Sequence, residues 1–199
     1  MKIKIFTNKN YLASRYEMSE EEIIRFNYEV LPNLMNRLAM DSRVELVEIY
    51  TNELEGTNIG FSSKINRYIV GTDNIKSYAE LIDLSAAAKK NEIVVVYNPL
   101  FPFLSLDKIY AAYKQVVDGK FESAFGVDNY YTEAINDQNV ELMDVGIFSI
   151  FKIDNFKNTR RRVQQPAKPV KLSAIELISL RQKDDYELYG LVVNSGLMQ

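Results

Sequence analysis

From Ile93 to Tyr97 the chain reads Ile-Val-Val-Val-Tyr without a polar break. A short β-branched apolar run of this kind has no solvent-facing alternation. It therefore predicts a strand covered on both faces, inside an α/β sheet and parallel to residues 3–6. Pro99 and Pro102 end the run. Ser105 then stands as an N-cap, Ile109, Ala112, Tyr113, Val116 and Val117 recur at helical spacing, and Gly119 occupies the C-cap position. Residues 121–127 predict the next strand.

The N-terminal pattern is different. Lys2, Lys4 and Phe6 alternate with Ile3 and Ile5, which predicts a strand rather than a signal peptide, followed by a polar loop at Thr7-Asn8-Lys9-Asn10. Ser19 and Glu22 form a capping-box signature, and Pro32 predicts a break near residues 28–31 of the helix it opens. Residues 44–50 and 68–70 predict strands, and 77–89 a helix. Further on, 129–139 and 156–172 read as excursions from the core, with strand-like apolar residues at 140–153 between them. Asp184 and Glu187 are spaced as a second capping box for a closing helix. No linker or repeat divides the chain, so 1–199 reads as one domain.

Composition narrows the chemistry. A chain of 199 residues with 47% apolar content can bury a core without staples. It has no cysteine, so there is no disulfide framework and a cytoplasmic setting is the default. No apolar stretch is long enough to predict membrane insertion. The net charge of −3 argues against a nucleic-acid partner, whose footprint is a basic excess, despite the local cluster of Arg160, Arg161 and Arg162 with Lys168 and Lys171. The absence of histidine as well as cysteine removes the usual zinc sites, histidine bases, Ser-His-Asp triads and cysteine nucleophiles. Carboxylate, lysine, arginine, amide and tyrosine chemistry remains. That inventory suits phosphoryl and nucleotidyl transfer, which relies on positioning and charge.

The central segment resembles the nucleotide-sugar cytidylyltransferases, the CMP-acylneuraminate and CMP-KDO synthetase group. Its loop Asn98-Pro99-Leu100-Phe101-Pro102-Phe103 and following Asp107-Lys108-Ile109 are similar to the family's Gln-Pro-Thr-Ser-Pro-Leu loop and Asp-Ile helix start. Ser123 to Val127, Ile49 to Glu53, Arg67 to Asp73 with Ser77, Asp144 to Phe148 and Asp185 to Leu188 follow in the family's order. The resemblance implies a three-layer α/β fold of the nucleotide-diphospho-sugar transferase type with a mixed, mostly parallel sheet. It also implies nucleotide binding by Thr7, Asn8, Thr51, Asn52, Arg67, Asp73, Ser77 and Asn98, and sugar binding by Asp144 and Gly146. Lys9 and Arg15 are the candidates for offsetting phosphate charge, and a homodimer is expected.

Two departures fall where the family's chemistry sits. Its Ala-Arg-x-Gly-Ser-Lys-Arg loop after the first strand is replaced here by a stretch without glycine, from Thr7 to Arg15. A loop without glycine adopts φ > 0 turns and close phosphate approach less readily. The family's closing Asp-Ile-Asp-Thr motif supplies magnesium ligands. Counting back from Asp185, those aspartates fall at Ser179 and Arg181. A unit-charge pair at ~4 Å and an effective dielectric of ~20 is worth on the order of 4 kcal/mol, so an arginine would repel a divalent ion about twice as strongly. No metal ligand is assigned; magnesium is implied only for an active enzyme. Asp184 and Asp185 are substitutes or helix caps.

The resemblance implies activation of an acidic sugar by CTP for cell-surface glycan synthesis. The alternative is an inactive relative that binds CTP or CMP, or a sugar, as a regulatory partner. A third reading is an interaction module whose cleft is filled by Phe101, Phe103, Tyr130 and Tyr131.

Overall fold

The computed structural model describes residues 1–51, 62–70, 82–83, 92–128 and 146–195. Its seven-stranded sheet is built from β1 (Lys2–Phe6), β2 (Leu46–Thr51), β3 (Ile65–Ile69), β4 (Ile93–Tyr97), β5 (Ser123–Val127), β6 (Phe148–Lys152) and β7 (Ala167–Lys171), in the order β3-β2-β1-β4-β6-β5-β7. Only β6 runs against its neighbours, β4 and β5; the other ladders are parallel. This is the mixed, mostly parallel α/β sheet expected from the sequence. β4 is interior and pairs in parallel with β1 from Ile3↔Val95 to Ile5↔Tyr97, and Val94 to Tyr97 are all buried.

The helices are α1 (Lys9–Tyr16), α2 (Glu20–Arg25), α3 (Leu31–Met40), α4 (Leu106–Val117), α5 (Ile153–Thr159) and α6 (Lys183–Asn194). Leu31, Leu34, Met35 and Leu38 of α3 and Ile109, Ala112 and Val116 of α4 recur at three- and four-residue steps and are buried. Both caps of α4 form as their residues dictate. Ser105 Oγ accepts from Lys108 N, and Gly119 takes φ +73°, where a side chain would be strained. Ser19 and Glu22 complete the reciprocal capping box of α2. The break expected before Pro32 takes the form of a π-helical turn, Phe26–Val30, in which Leu31 N bonds to Phe26 O. The proline then sits in the first turn of α3, where its missing N–H is tolerated.

Three expectations are corrected. The polar stretch Thr7-Asn8-Lys9-Asn10 is not a loop, because Asn8 caps a helix that begins at Lys9. Residues 156–172 do not simply leave the core: after α5, residues 167–171 return as β7, paired residue by residue with β5. Pro169 fits there because β7 is an edge strand. The closing helix starts one residue before Asp184. Its cap is not the Asp184–Glu187 pair but Asp185, whose Oδ2 accepts from Arg181 N and Gln182 N at 2.8 Å each. The apolar stretch 140–153 contributes β6, and Ile153 already opens α5. The expected helix at 77–89 and the excursion at 129–139 lie outside the described residues, apart from helical Ile82 and Asp83.

Lys4, a charged residue in the middle of β1, is only 1% exposed. It faces Glu48 across the β1–β2 ladder at 2.5 Å and reaches Tyr50 Oη at 3.3 Å. Tyr50 stacks on Tyr68 at 5.0 Å, and Tyr68 Oη donates to Glu48 at 3.4 Å. Burial, reinforced by the negative charge of Glu48, pushes the Tyr50 phenol above its ordinary pKa, so it stays a neutral partner. A buried carboxylate, Glu176, accepts from Ser105 N, Ser173 N and Ser173 Oγ and pairs with Lys108. It fastens residues 173–180 to the start of α4.

Lys4 is buried and Glu48 half-buried, so removing one partner of this pair leaves a largely desolvated charge. Lys4→Met is therefore expected to lower unfolding free energy by about 3 kcal/mol in urea titrations, and Lys4→Met with Glu48→Met to recover most of that loss. For Glu176, burial alone would raise the pKa, but the bonds from Lys108, Ser173 and Ser105 outweigh it and hold the carboxyl below its ordinary value. A depressed folded-state pKa gives stability that is present above the unfolded value and is lost as pH falls through the folded one. Melting curves across the acid range should show this loss in wild type and a shallower slope in Glu176→Gln.

Candidate functional site

Strands β2 and β3 step away on one side of β1, and β4 lies on its other side, so the strand order reverses between β1 and β4. In open α/β sheets, ligands bind outside the carboxyl ends of the strands at such a switch point. Thr7 and Asn8 follow β1, Thr51 ends β2, and Asn98 follows β4. Because β6 is antiparallel, its start brings Gly146 to the same edge. The ladder continues past the strand ends through Thr7 N to Tyr50 O at 2.9 Å and Asn98 N to Ile147 O at 3.0 Å.

Thr7 and Asn8 are buried and only partly satisfied. Asn8 Oδ1 accepts from Tyr11 N at 3.0 Å, but Asn8 Nδ2 and Thr7 Oγ1 are buried without a hydrogen-bond partner. Orphaned buried polar atoms are uncommon and costly in native proteins. Here they lie beside the N-terminus of α1, whose dipole favours negative charge. A helix presents its first N–H groups with ordinary negative φ, so no φ > 0 residue is required.

Lys9, the first residue of α1, pairs at 2.6 Å with Glu20, and the lysine's hydrogen bond and charge hold that carboxyl below its ordinary pKa. The pair lies at the surface. Arg15 lies exposed in the last turn of α1.

Asn98 organises the edge. Its Nδ2 donates to Tyr16 Oη at 2.9 Å and to Gly146 O at 2.8 Å, while Oδ1 accepts from Leu100 N at 3.1 Å. Both amide donors are thus engaged within the protein, and one lone pair of Oδ1 remains. Gly146 adopts φ +68°, a left-handed conformation that favours glycine. Tyr16 packs edge-on against Tyr11 at 5.9 Å and carries the Arg181 guanidinium over its ring at 5.2 Å. Sequence reasoning missed both tyrosines. The available signal was Asn8 as an N-cap, which puts Tyr11 and Tyr16 on one helix.

The other expected site residues divide. Thr51 is buried at the end of β2, with Val70 N donating to its carbonyl at 2.7 Å. Arg67 lies mid-strand in β3, two residues short of its carboxyl end. Asn52, Asp73, Ser77 and Asp144 lie outside the described residues. Phe101 and Phe103 are buried, and Phe103 stacks on Tyr189 of α6 at 5.5 Å; Tyr130 and Tyr131 also lie outside.

Ser179 is half-buried, Asp184 is exposed, and Asp185 caps α6. No group of three Asp or Glu side chains among the described residues could hold a metal ion. With a guanidinium at position 181 and the Asp185 carboxylate bonded to backbone N–H groups, the residues around Ser179 do not fit a divalent cation.

No protein-family model matches the chain, and no curated protein matches its sequence. Solved structures do match its fold over nearly their whole length. A CMP:2-keto-3-deoxy-manno-octonic acid synthetase complexed with CTP is 10% identical, with 98% of both chains covered and a TM-score of 0.64. The 2-C-methyl-D-erythritol 4-phosphate cytidylyltransferase of Francisella tularensis is 14% identical, with 96% of this chain and 98% of that one covered and a TM-score of 0.60. The molybdopterin-guanine dinucleotide biosynthesis protein A of Archaeoglobus fulgidus is 11% identical, with 98% and 100% covered and a TM-score of 0.56. The chain therefore has a cytidylyltransferase-like fold of the nucleotide-diphospho-sugar transferase type.

Proposed function

We propose that this protein is a cytidylyltransferase-like nucleotidyltransferase that binds CTP at the β1–β4 switch point and couples it to an acidic sugar. The carrying observation is the pair of unpartnered buried groups, Thr7 Oγ1 and Asn8 Nδ2, beside the N-terminus of α1. A phosphate oxygen accepts from both and meets the positive end of the helix dipole. Lys9 and Arg15 lie on the same helix and offset further phosphate charge. In the reaction, a sugar hydroxyl oxygen bonds to the α-phosphorus and the bond to the bridging α–β oxygen breaks. Pyrophosphate leaves with the electron pair, and the hydroxyl proton passes to solvent.

A second reading, a relative that binds CTP or CMP without turnover, is favoured by the composition of the position expected to hold magnesium ligands. Ser179 and Arg181 stand there. On either reading the protein works in the cytoplasm as a homodimer, with 130–139 and 156–171 as the interface candidates.

Thr7→Val separates ligand binding from folding. Removing an unsatisfied buried hydroxyl while keeping its shape should raise the stability of the free protein by about 1 kcal/mol and weaken CTP binding by about tenfold. Thermal-shift titrations check both, since a ligand at about a hundred times its Kd adds about 2.7 kcal/mol. CTP affinity equal to that of wild type would remove Thr7 from the site, and no CTP stabilisation of wild type would remove the nucleotide. Pyrophosphate release with CTP and an acidic sugar distinguishes enzyme from binder. Static light scattering at micromolar concentration should report twice the chain mass.

A further inference from the structure

The geometry points to Arg181 as the resident cation of the β1–β4 crevice, so that a phosphate-bearing ligand binds there without a divalent metal. This rests on the nucleotide reading above and deepens it, by naming what compensates the phosphate charge.

Arg181 is held from several directions. Leu180 N donates to Leu100 O at 2.9 Å, tying the segment to the loop that follows β4. Asp185 Oδ2 accepts from Arg181 N at 2.8 Å and fixes the backbone on the other side. Glu176 anchors the preceding turn to Ser105. The guanidinium lies 5.2 Å over the ring of Tyr16, and Tyr16 Oη accepts from Asn98, the residue that closes the carboxyl edge of β4. A side chain stacked on an aromatic face has already lost much of its rotamer freedom, and its planar donors remain available at the edge of the stack.

No carboxylate among the described residues forms an ion pair with the Arg181 guanidinium. The side chain is solvent-exposed at a ligand-binding edge. A fixed guanidinium binds phosphate through paired N–H donors, a task that a divalent ion performs by bridging oxygens. The same charge repels such an ion. The lack of a metal ligand set at Ser179 and Arg181 is then a substitution of one cation for another, rather than the loss of a site.

Isothermal titration of the full-length protein with CTP and with inorganic pyrophosphate, in chelator and in excess magnesium, tests this. Both ligands should bind wild type in chelator, with magnesium tightening neither. Arg181→Ala should weaken both by about tenfold or more, and Arg181→Lys should recover part of the loss. Circular-dichroism melts of both variants should match wild type, since the side chain is exposed. Binding that requires magnesium, or equal affinity in Arg181→Ala, would overturn the inference.

Its failure is separable from failure of the nucleotide reading. Magnesium-dependent CTP binding keeps the nucleotide and removes the arginine. Metal-free, Arg181-dependent pyrophosphate binding with CTP no tighter than pyrophosphate keeps the arginine and removes the nucleoside. Binding of neither ligand under either condition removes both.

Discussion

The amide of Asn98 joins three parts of the chain at this edge. Through Nδ2 it holds Tyr16 at the end of α1 and Gly146 before β6, and through Oδ1 it turns its own loop at Leu100. A carboxylate could not donate, and a lysine could not accept; only an amide offers two donors and an acceptor in one plane. The hydroxyl it fixes also fixes the ring on which Arg181 rests. The crevice is therefore shaped by a group that has little capacity left for a ligand, which divides framing from binding between Asn98 and its neighbours.

Much of the fold was legible because the relevant signals are local. The Ile93–Tyr97 run announces a doubly covered strand, Ser105 and Gly119 bracket α4, and Ser19 with Glu22 opens α2. Other elements were hidden for identifiable reasons. In α1 the buried residues are the adjacent pair Tyr11 and Leu12, so no helical period appears. In β7, Pro169 and the flanking lysines mask an edge strand that has little apolar content of its own. Lys4 obeys the alternation of a half-exposed strand, yet its partners, Glu48 and Tyr50, lie on another strand and cover it.

The site was legible in its parts but not in its assembly. The resemblance brought Thr7, Asn8, Thr51, Asn98 and Gly146 to one edge, where the sheet order puts them. It gave no warning that a helix would replace the glycine loop, because an N-cap asparagine and a loop asparagine look alike in a string. Nor could it show Arg181 over Tyr16. A cation–π contact between residues so far apart in the chain has no spacing to read. The two departures from the pattern lie at opposite ends of α1: Asn8 caps its start, and Arg181 rests over Tyr16 at its end.

The reversed direction of β6 has a bearing on how such a protein changes over evolutionary time. β5 ends and β6 begins at the edge where β1, β2 and β4 also end. The chain between Asp128 and Gly146 thus departs from and rejoins the sheet beside the crevice. Loop-closure entropy grows only slowly with length, so insertions there disturb neither ladder much. A lineage can therefore lengthen or rewrite this one connection while the strand ends that frame the rest of the crevice stay as they are.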